Sequence, residues 1–391
     1  LAINTLIARA VSIEGGSMIR NGLMPSFNLV GDLFRWICFK HDPAWTRPQK
    51  YQLLNRYESP QALIDWYDPY KNSSALGSVQ SAALESTAEF LQASNHHCLA
   101  LGQEGYPPLL TQIADPPLVL YLIGDPQLLS SPCMAIVGSR RPTQLGVHST
   151  QAFASQFASI GITTVSGMAL GVDGCAHEAA LNAGGSTIAV LACGADVVYP
   201  ARHRALYERV VSSGLAVSEY TPGTKALPFR FPERNRLVSG LSLGTLVIEA
   251  ADKSGTLITA EYCVEHNRDL FVVPGSLQSS QYEGSHRLIQ QGATLAVNAN
   301  DIVSVLSSEL RDYLGQQIEC GTENAKSIRK QQSTSPTQRT VLELLRSETM
   351  STDMIVRLSN LSVAAVSAAL LSLELEGFAS LTQDGRFYAN P

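Results

Sequence analysis

Between residues 118 and 297, short apolar runs of four to six residues alternate with longer segments whose apolar residues recur at helical spacing. Apolar runs of this kind are typical of strands buried on both faces of a parallel sheet, and the intervening segments supply the covering helices. The pattern therefore predicts an α/β fold. The predicted strands are Leu118–Ile123, Met134–Val137, Ile162–Ser166, Thr187–Ala192, Leu215–Ser218, Leu246–Glu249, Leu270–Val273 and Ala293–Val297. The predicted helices include Gln144–Ile160, Gly174–Asn182, Leu257–His266 and Ser285–Gln291.

The regions before and after this one carry helical patterns without strands between them. Ser59 fits a helix N-cap, with Pro60 at the first helical position. Near the other end, a polar stretch that closes on Ser335-Pro336 is typical of a linker. The predicted domains are an unstructured extension (1–28), an N-terminal helical domain (29–97), the α/β core (98–307), a linker (308–335) and a C-terminal domain (336–391).

The C-terminal domain has the pattern of three amphipathic helices followed by a hairpin. The helices are Val341–Leu345, Met354–Leu358 and Val363–Leu375, and Gly377 fits the C-cap of the third. The hairpin turns at residues 383–385, which include Gly385. Three helices and a hairpin predict a winged-helix domain.

Several predicted strands of the core end in glycine or another small residue. Gly138 and Gly167 each follow a strand directly, and Gly194 and Gly275 lie within two residues of a strand end. In doubly wound sheets, ligands bind in a crevice at the carboxyl ends of the strands. The glycines therefore mark the edge of the sheet where a binding site is expected.

The first of these strand ends carries two arginines. Gly138 ends the strand, and Ser139, Arg140 and Arg141 occupy the turn before the next helix. Free backbone N–H groups at such a turn attract anions, and forked guanidinium groups suit a phosphate. An ordinary strand–loop–helix joint with solvated arginines would give the same pattern.

Two further turns have the composition of phosphate-binding loops. Gly167 and Gly171 flank the first of these, which is the second glycine loop of the core. A tight turn with Asp173 as a helix cap explains the same residues. Ser254 and Gly255 precede a helix, whose N-terminus could hold a phosphate. His177 follows Asp173 without partners at metal-ligand spacing, so we expect no metal site there.

Residues 225–236 concentrate positive charge and aromatic rings in one segment, which we predict to be a loop. Four cationic residues and one acidic residue give it a local net charge of +3. Cations that follow a backbone, interleaved with rings on which bases stack, are what single-stranded nucleic acid needs. A loop whose rings pack inward and whose arginines pair locally is the alternative. The cations are Lys225, Arg230, Arg234 and Arg236, and the rings are Phe229 and Phe231.

Overall composition limits the other classes of function. The net charge of −6 gives no general attraction to nucleic acid, so binding would need a local patch. The seven cysteines form no CxxC pair, which fits a reducing cytoplasm and no structural metal. No apolar run approaches the ~20 residues of a membrane span. Because neither a Walker A motif nor a full GxGxxG fingerprint is present, we expect no nucleotide cofactor.

Six motifs, spread in order over residues 100–306, resemble the DNA-processing protein A (DprA/Smf) family. The flanking helical regions resemble the family's N-terminal (SAM-like) domain and its C-terminal winged helix. The motifs are Ile136–Thr143; Ser166–Asp173 with Ala176-His177; Phe231–Arg236 with Ser239-Gly240; Glu249–Ala251 with Ser254–Ala260; Val273–Gly275; and Arg287–Ile289 with Gly292-Ala293.

This resemblance implies an extended Rossmann-like core that forms a homodimer and binds single-stranded DNA in the cytoplasm. It also implies transfer of that strand to the RecA recombinase during natural transformation, without enzymatic activity. We expect substitution of Arg140 or Arg234 to weaken single-strand binding and to flatten its salt dependence. The DNA-contacting candidates are Gly138, Ser139, Arg140, Phe231, Arg234 and Asn235, followed by Arg230 and Arg236.

Two features depart from the family pattern. Leu170 stands in the second glycine loop, where some members have a cationic residue. The third helix of the C-terminal domain, Val363–Leu375, contains no Lys or Arg, which argues against its gripping a DNA backbone. We therefore expect the winged helix to serve protein contacts or to be dispensable for DNA binding.

Two other functions stay open from the sequence alone. A nucleotide-processing hydrolase on a related Rossmann-like fold would use Glu249 and Arg236 as its working pair. A nucleotide-sensing module without catalysis is the other, and equilibrium binding of mononucleotides against oligonucleotides would distinguish it.

Overall fold

The computed structural model describes residues 28–70, 76–306, 336–347, 349–359, 361–375, 379–382 and 386–389. The chain divides into two units, with the boundary between residues 306 and 307. Nearly all of the predicted extension, the whole predicted linker, Gly377 and the hairpin turn at 383–385 lie outside the described residues.

The first unit is built on a nine-stranded sheet in the order β1-β2-β6-β5-β4-β3-β7-β8-β9. The seven strands β6, β5, β4, β3, β7, β8 and β9 are parallel to one another. At one edge of the sheet, β1 pairs antiparallel with β2, and β2 pairs antiparallel with β6. The predicted α/β fold with a parallel sheet is confirmed. The strands are β1 (His96–Ala100), β2 (Val119–Gly124), β3 (Cys133–Val137), β4 (Thr163–Ser166), β5 (Thr187–Val190), β6 (Leu215–Ser218), β7 (Gly244–Val247), β8 (Asp269–Val272) and β9 (Thr294–Leu295).

Helices precede the sheet and alternate with its strands. One continuous hydrophobic core joins Trp36 and Leu84 of the N-terminal helices to Leu120 and Val272 of the sheet. The helices are α1 (Asn28–Lys40), α2 (Arg47–Leu54), α3 (Pro60–Trp66), α4 (Ser78–Phe90), α5 (Pro108–Thr111), α6 (Gln144–Ser159), α7 (Val172–Asn182), α8 (Arg204–Ser213), α9 (Arg230–Gly240), α10 (Thr256–Glu265), α11 (Glu283–Gln290) and α12 (Ala299–Val305).

The strand order reverses direction at β3, which lies between β4 and β7. The chain runs outward from β3 through β4, β5 and β6, and then returns to the other side of β3 to form β7, β8 and β9. A crevice opens at such a switch point because the connections leave the carboxyl ends of the two neighbouring strands in opposite directions.

The prediction of a loop over residues 225–236 is wrong from Arg230 onward, because α9 begins there. Pro232 lies in the first turn, where its missing N–H costs no intrahelical hydrogen bond. Glu233 also lies in the first turn, and Leu237 and Val238 are buried. Prolines at 228 and 232 therefore mark the start of a helix rather than a continuous loop.

The second unit contains three helices and a two-stranded antiparallel sheet, as predicted for a winged helix. Its own core includes Val341, Ile355, Val366 and Leu373. The elements are α13 (Pro336–Ser347), α14 (Thr352–Ser359), α15 (Val363–Leu375), β10 (Ala379–Leu381) and β11 (Phe387–Ala389). Among the described helices of both units, none is long and apolar enough to cross a membrane.

Candidate functional site

A cleft of about 680 Å³ opens at the carboxyl ends of β3, β4 and β5, with α9 and the start of α10 along its other walls. It lies at the switch point of the sheet, where a doubly wound fold binds its ligand. Nine of the candidates predicted from the sequence line this cleft, and Gly171, Arg230 and Arg236 do not. Those that line it are Gly138, Ser139, Arg140, Gly167, Phe231, Arg234, Asn235, Ser254 and Gly255.

The first two glycine loops are packed directly against each other. A Cβ atom at Gly171, whose φ is +84°, would lie 2.4 Å from the carbonyl oxygen of Ser139. The backbone N–H of Val172 donates to that same oxygen at 3.1 Å. Gly171 therefore supports the Gly138–Arg140 loop from behind instead of facing the cleft.

Arg140 and two aromatic rings form the exposed part of the cleft. The guanidinium carbon of Arg140 lies 5.7 Å from the centroid of the Phe231 ring, within cation–π range. The ring of Tyr199 lies 5.4 Å from that of Phe231, centroid to centroid, and Tyr199 is 48% exposed. Sequence reasoning missed Tyr199. Its signal was an aromatic residue in the loop after β5, at the same edge of the sheet as the glycines.

Arg234 lines the cleft wall but is buried, with 3% of its surface exposed. Its Nη1 donates to the carbonyl oxygens of Gly167 and Val190, which lie at the ends of β4 and β5. Burial lowers the pKa of Arg234, while the nearby carboxylate of Asp173 favours the charged form. A Cβ atom at Gly167 would lie 2.6 Å from Nη2 of Arg234, so this close fit needs glycine. Arg234 therefore ties α9 to two strand ends.

The second glycine loop is held by a buried carboxylate. Asp173 accepts hydrogen bonds from the backbone N–H groups of Gly167, at 3.2 Å, and Ala169, at 3.3 Å. Burial raises the pKa of Asp173, against the opposing effect of Arg234. Between these anchors, Met168 adopts a left-handed φ of 61°, which is strained for a residue with a side chain. The loop is therefore fixed in one conformation beneath the cleft.

Arg236 is 2% exposed and lies outside the cleft. Its guanidinium donates to both carboxylate oxygens of Glu219, at 2.8 and 2.6 Å, and to Asp115 Oδ2 at 2.8 Å. Burial alone would raise the pKa of Glu219, but Arg236 brings it below its ordinary value. A guanidinium that is buried and paired with two carboxylates is not accessible to a phosphate. The expectation that Arg236 contacts DNA is therefore corrected: it anchors α9.

The turn before α10 also lines the cleft. Ser254 and Gly255 line it, and the Ser254 hydroxyl accepts a hydrogen bond from the Thr256 N–H at 3.2 Å. The remaining N–H groups of the first helical turn carry the positive end of the helix dipole. The cleft thus includes the N-terminal end of a helix, whose dipole favours negative charge.

Glu249 does not line the cleft and is fully buried. Its carboxylate accepts hydrogen bonds from the Thr143 hydroxyl, at 2.7 Å, and from the Thr143 N–H, at 3.1 Å. Since Arg236 is committed to Glu219, the two groups expected for a hydrolase serve separate structural roles. In the described part of the chain, no three His, Cys, Asp or Glu side chains are grouped to hold a metal ion.

Comparisons with known proteins show what this chain is similar to. A sequence profile of the DNA recombination-mediator protein A family matches residues 97–307, and one of the DprA winged helix domain matches residues 325–385. Protein Smf of Synechocystis sp. is 36% identical over 314 residues, which span 74% of this chain and 79% of the relative.

Two solved structures share the fold. DNA processing protein A from Streptococcus pneumoniae is 31% identical, with a TM-score of 0.55, and the match covers 71% of this chain and 93% of that one. A structure on the single-stranded DNA binding mode of DNA processing protein A from Helicobacter pylori is 34% identical, with a TM-score of 0.50. That match covers 56% of this chain and 96% of the other.

Proposed function

Because the chain belongs to the DNA recombination-mediator protein A family, we propose that it binds single-stranded DNA in the cleft at the carboxyl ends of β3, β4 and β5. The observation that carries this proposal is the exposed guanidinium of Arg140 above the ring of Phe231, next to the glycine turn that lines the cleft. The guanidinium and the turn suit a phosphate, and the ring suits a base that stacks on it.

The proposed pose follows from the positions of these groups. Phosphate oxygens would accept from Arg140, from the backbone of the Gly138–Arg140 loop and from the N-terminus of α10. Bases would stack on Phe231 and Tyr199, whose rings are within 5.4 Å of each other. Asn235, on the same wall, offers an amide to a base edge or a phosphate.

The cleft is poor in available cations for a DNA-binding site. Among its described lining residues, Arg140 and Arg234 are the cations, and Nη1 of Arg234 is already bonded to two carbonyl oxygens. Affinity should therefore rest more on stacking than on charge. Each neutralised phosphate contributes about −0.7 to the slope of log K against log salt concentration for single strands, so the cleft should give a shallow slope.

Substitution of Arg140 tests this proposal. Arg140→Ala should weaken binding of a labelled oligothymidylate and reduce the salt slope by about 0.7, the value for one phosphate contact. The measurement is fluorescence anisotropy over a series of salt concentrations. Arg141→Ala is the matched control, because Arg141 carries the same charge in the same loop but does not line the cleft. Equal effects of the two substitutions, or none from either, would contradict the assignment of Arg140.

The later steps of the function are also proposals. The chain would form a homodimer through its Rossmann-like core in the cytoplasm and would pass the bound strand to the RecA recombinase during natural transformation. A strand-exchange assay with coated single-stranded DNA tests the transfer, since a mediator should restore RecA activity on that DNA.

We assign no enzymatic role, because Glu249 is held by Thr143 away from the cleft. Release of free base from nucleoside monophosphates would oppose this view.

A further inference from the structure

A second group of rings and cations lies beside the cleft, on the segment that leads into α9. The guanidinium carbon of Arg230 lies 5.0 Å from the Tyr220 ring centroid and 5.5 Å from the Phe229 ring centroid. We call Tyr220, Arg230 and Phe229 the rim stack. The Tyr220 hydroxyl donates to Glu233 Oε2 at 3.1 Å, and Arg230 donates to the carbonyl oxygen of Lys225. Hydrogen bonds therefore fix the tyrosine and the arginine of the stack.

The exposure of Phe229 distinguishes it from the rings of the core. It is 58% exposed, so burial accounts for little of its placement. Its contact with Arg230 holds the ring in a defined orientation, while much of the ring remains accessible to solvent. A ring that is oriented in advance loses little conformational entropy when a flat partner stacks on it. The rim stack thus has the property that base stacking requires.

The rim stack continues directly from the cleft. Pro228 and Phe231 both line the cleft, and Phe229 and Arg230 lie between them in the chain. The Cα atoms of Phe229 and Phe231 are therefore under about 7.6 Å apart, twice the spacing of consecutive residues. Lys225 is exposed on the same segment and adds a second cation beside Arg230. A strand that leaves the cleft past Pro228 would meet an aromatic ring flanked by positive charge.

We propose that the rim stack is a second base-binding site for single-stranded DNA, in which Phe229 stacks on a base outside the cleft. This inference rests on the proposed function of the cleft, because the same strand would occupy both. Arg230 and Lys225 would face the phosphates that join the outer base to those inside. The site thereby assigns a role to Arg230, which the sequence marked as a DNA contact and which does not line the cleft.

The dependence of affinity on oligonucleotide length tests the rim stack. Anisotropy titrations would use oligothymidylates of about 4 and about 16 nucleotides, which span common site sizes for single-strand binding. Phe229→Ala should weaken binding of the longer oligonucleotide by about 5- to 140-fold, the equivalent of one stacked base, and leave the shorter one unchanged. Phe231→Ala, inside the cleft, should weaken binding of both.

Two further variants separate stacking from other effects. Phe229→Tyr retains an aromatic ring and should bind the longer oligonucleotide as the wild type does, whereas Phe229→Leu should behave like Phe229→Ala. Val264→Ala is the matched surface control, because Val264 is 61% exposed and lies toward the far end of α10. It should leave both affinities unchanged.

The outcomes distinguish failure of the rim stack from failure of the cleft. If the wild type binds both oligonucleotides and Phe229→Ala binds them equally well, the rim inference is overturned while the cleft stands. Equal losses for the two lengths would also overturn it, because the ring would then act inside the cleft or on the fold. If the wild type binds neither oligonucleotide, the proposed function and the rim stack fail together.

Discussion

Three arginines close in sequence or space perform three different tasks in this protein. Arg140 is exposed at the cleft, Arg234 is buried in its wall, and Arg236 is buried outside it. The difference lies in what each guanidinium contacts: an aromatic ring, two backbone carbonyls or two carboxylates. Their substitutions should therefore affect different measurements.

Substitution of Arg234 should affect stability more than the salt dependence of binding. Arg234→Ala removes the donor to the carbonyls of Gly167 and Val190, and a buried polar group left without its partner costs about 1–3 kcal/mol. Urea unfolding should report a loss of that size. Arg202→Ala, at an exposed arginine, should change stability by no more than about 0.5 kcal/mol. A variant of normal stability with a flattened salt slope would instead restore Arg234 as a phosphate contact.

The sequence could not separate these arginines, although it predicted a crevice that several of the candidate residues share. Gly138, Arg140 and Phe231 were expected at one crevice, and the cleft does bring them together. Arg234 and Arg236 differ in role because of their tertiary contacts. Arg234 meets backbone carbonyls, whereas Arg236 meets the carboxylates of Asp115 and Glu219. Val190 lies 44 residues from Arg234 in the sequence, and Asp115 lies 121 residues from Arg236. No local pattern reveals partners at such separations.

At the scale of elements, α9 joins the cleft to the rest of the first unit. Phe231 and Asn235 of this helix line the cleft, while Arg236 binds Glu219 after β6 and Asp115 after α5. Arg47 of α2 donates to the same Asp115 oxygen at 2.9 Å. The orientation of the cleft wall therefore depends on an ion-pair network that reaches the N-terminal helices.

This network should make stability depend on acid pH. Because the folded-state pKa of Glu219 is below its ordinary value, its contribution is present above the ordinary glutamate pKa of about 4.3 and is lost as pH falls through the folded value. Urea unfolding from neutral to acid pH should show that loss, and Glu219→Gln should reduce it. Glu208→Gln, at an exposed position on α8, should leave the pH profile as in the wild type. An unaltered profile for Glu219→Gln would contradict the proposed linkage.

Strands could be predicted where apolar residues follow one another without a break. Elements that mix apolar residues with polar residues or prolines could not. The strands from β2 to β8 follow apolar runs, and the structure has a strand at each of them. The strand β1 begins with His96-His97, so its pairing with β2 is decided by tertiary contacts rather than by an apolar pattern. The helix α9 was missed because Pro228 and Pro232 resemble loop residues until the first turn of the helix is located.

On the scale of the whole molecule, the two units have separate hydrophobic cores. The helix α15 of the second unit contains no Lys or Arg, whereas its apolar residues Val366, Leu370 and Leu373 are buried in the core of that unit. The cleft and the rim stack both belong to the first unit. Single-strand binding therefore should not require the winged helix.

Removal of residues 336–391 tests this separation. The truncated chain should retain the affinity and the salt slope of the full chain for oligothymidylate, because the groups proposed to bind DNA all remain. The measurement is the same anisotropy titration, with circular dichroism to show that the first unit is folded. A large loss of affinity in a folded truncated chain would show that the winged helix contributes to DNA binding.

The strand order has a consequence for biosynthesis. β2 is completed early but pairs with β6, and β3 pairs with β7, about 110 residues later in the chain. A ribosome that delivers the chain from its N-terminus releases β2 long before β6 emerges, although β1 is already available to pair with it. The central sheet can close only after β7 has left the exit tunnel, so the cleft is among the last parts of the first unit to form. A prematurely terminated chain that ends before β7 would leave one edge of β3 unpaired and would lack the wall of the cleft at the start of α10.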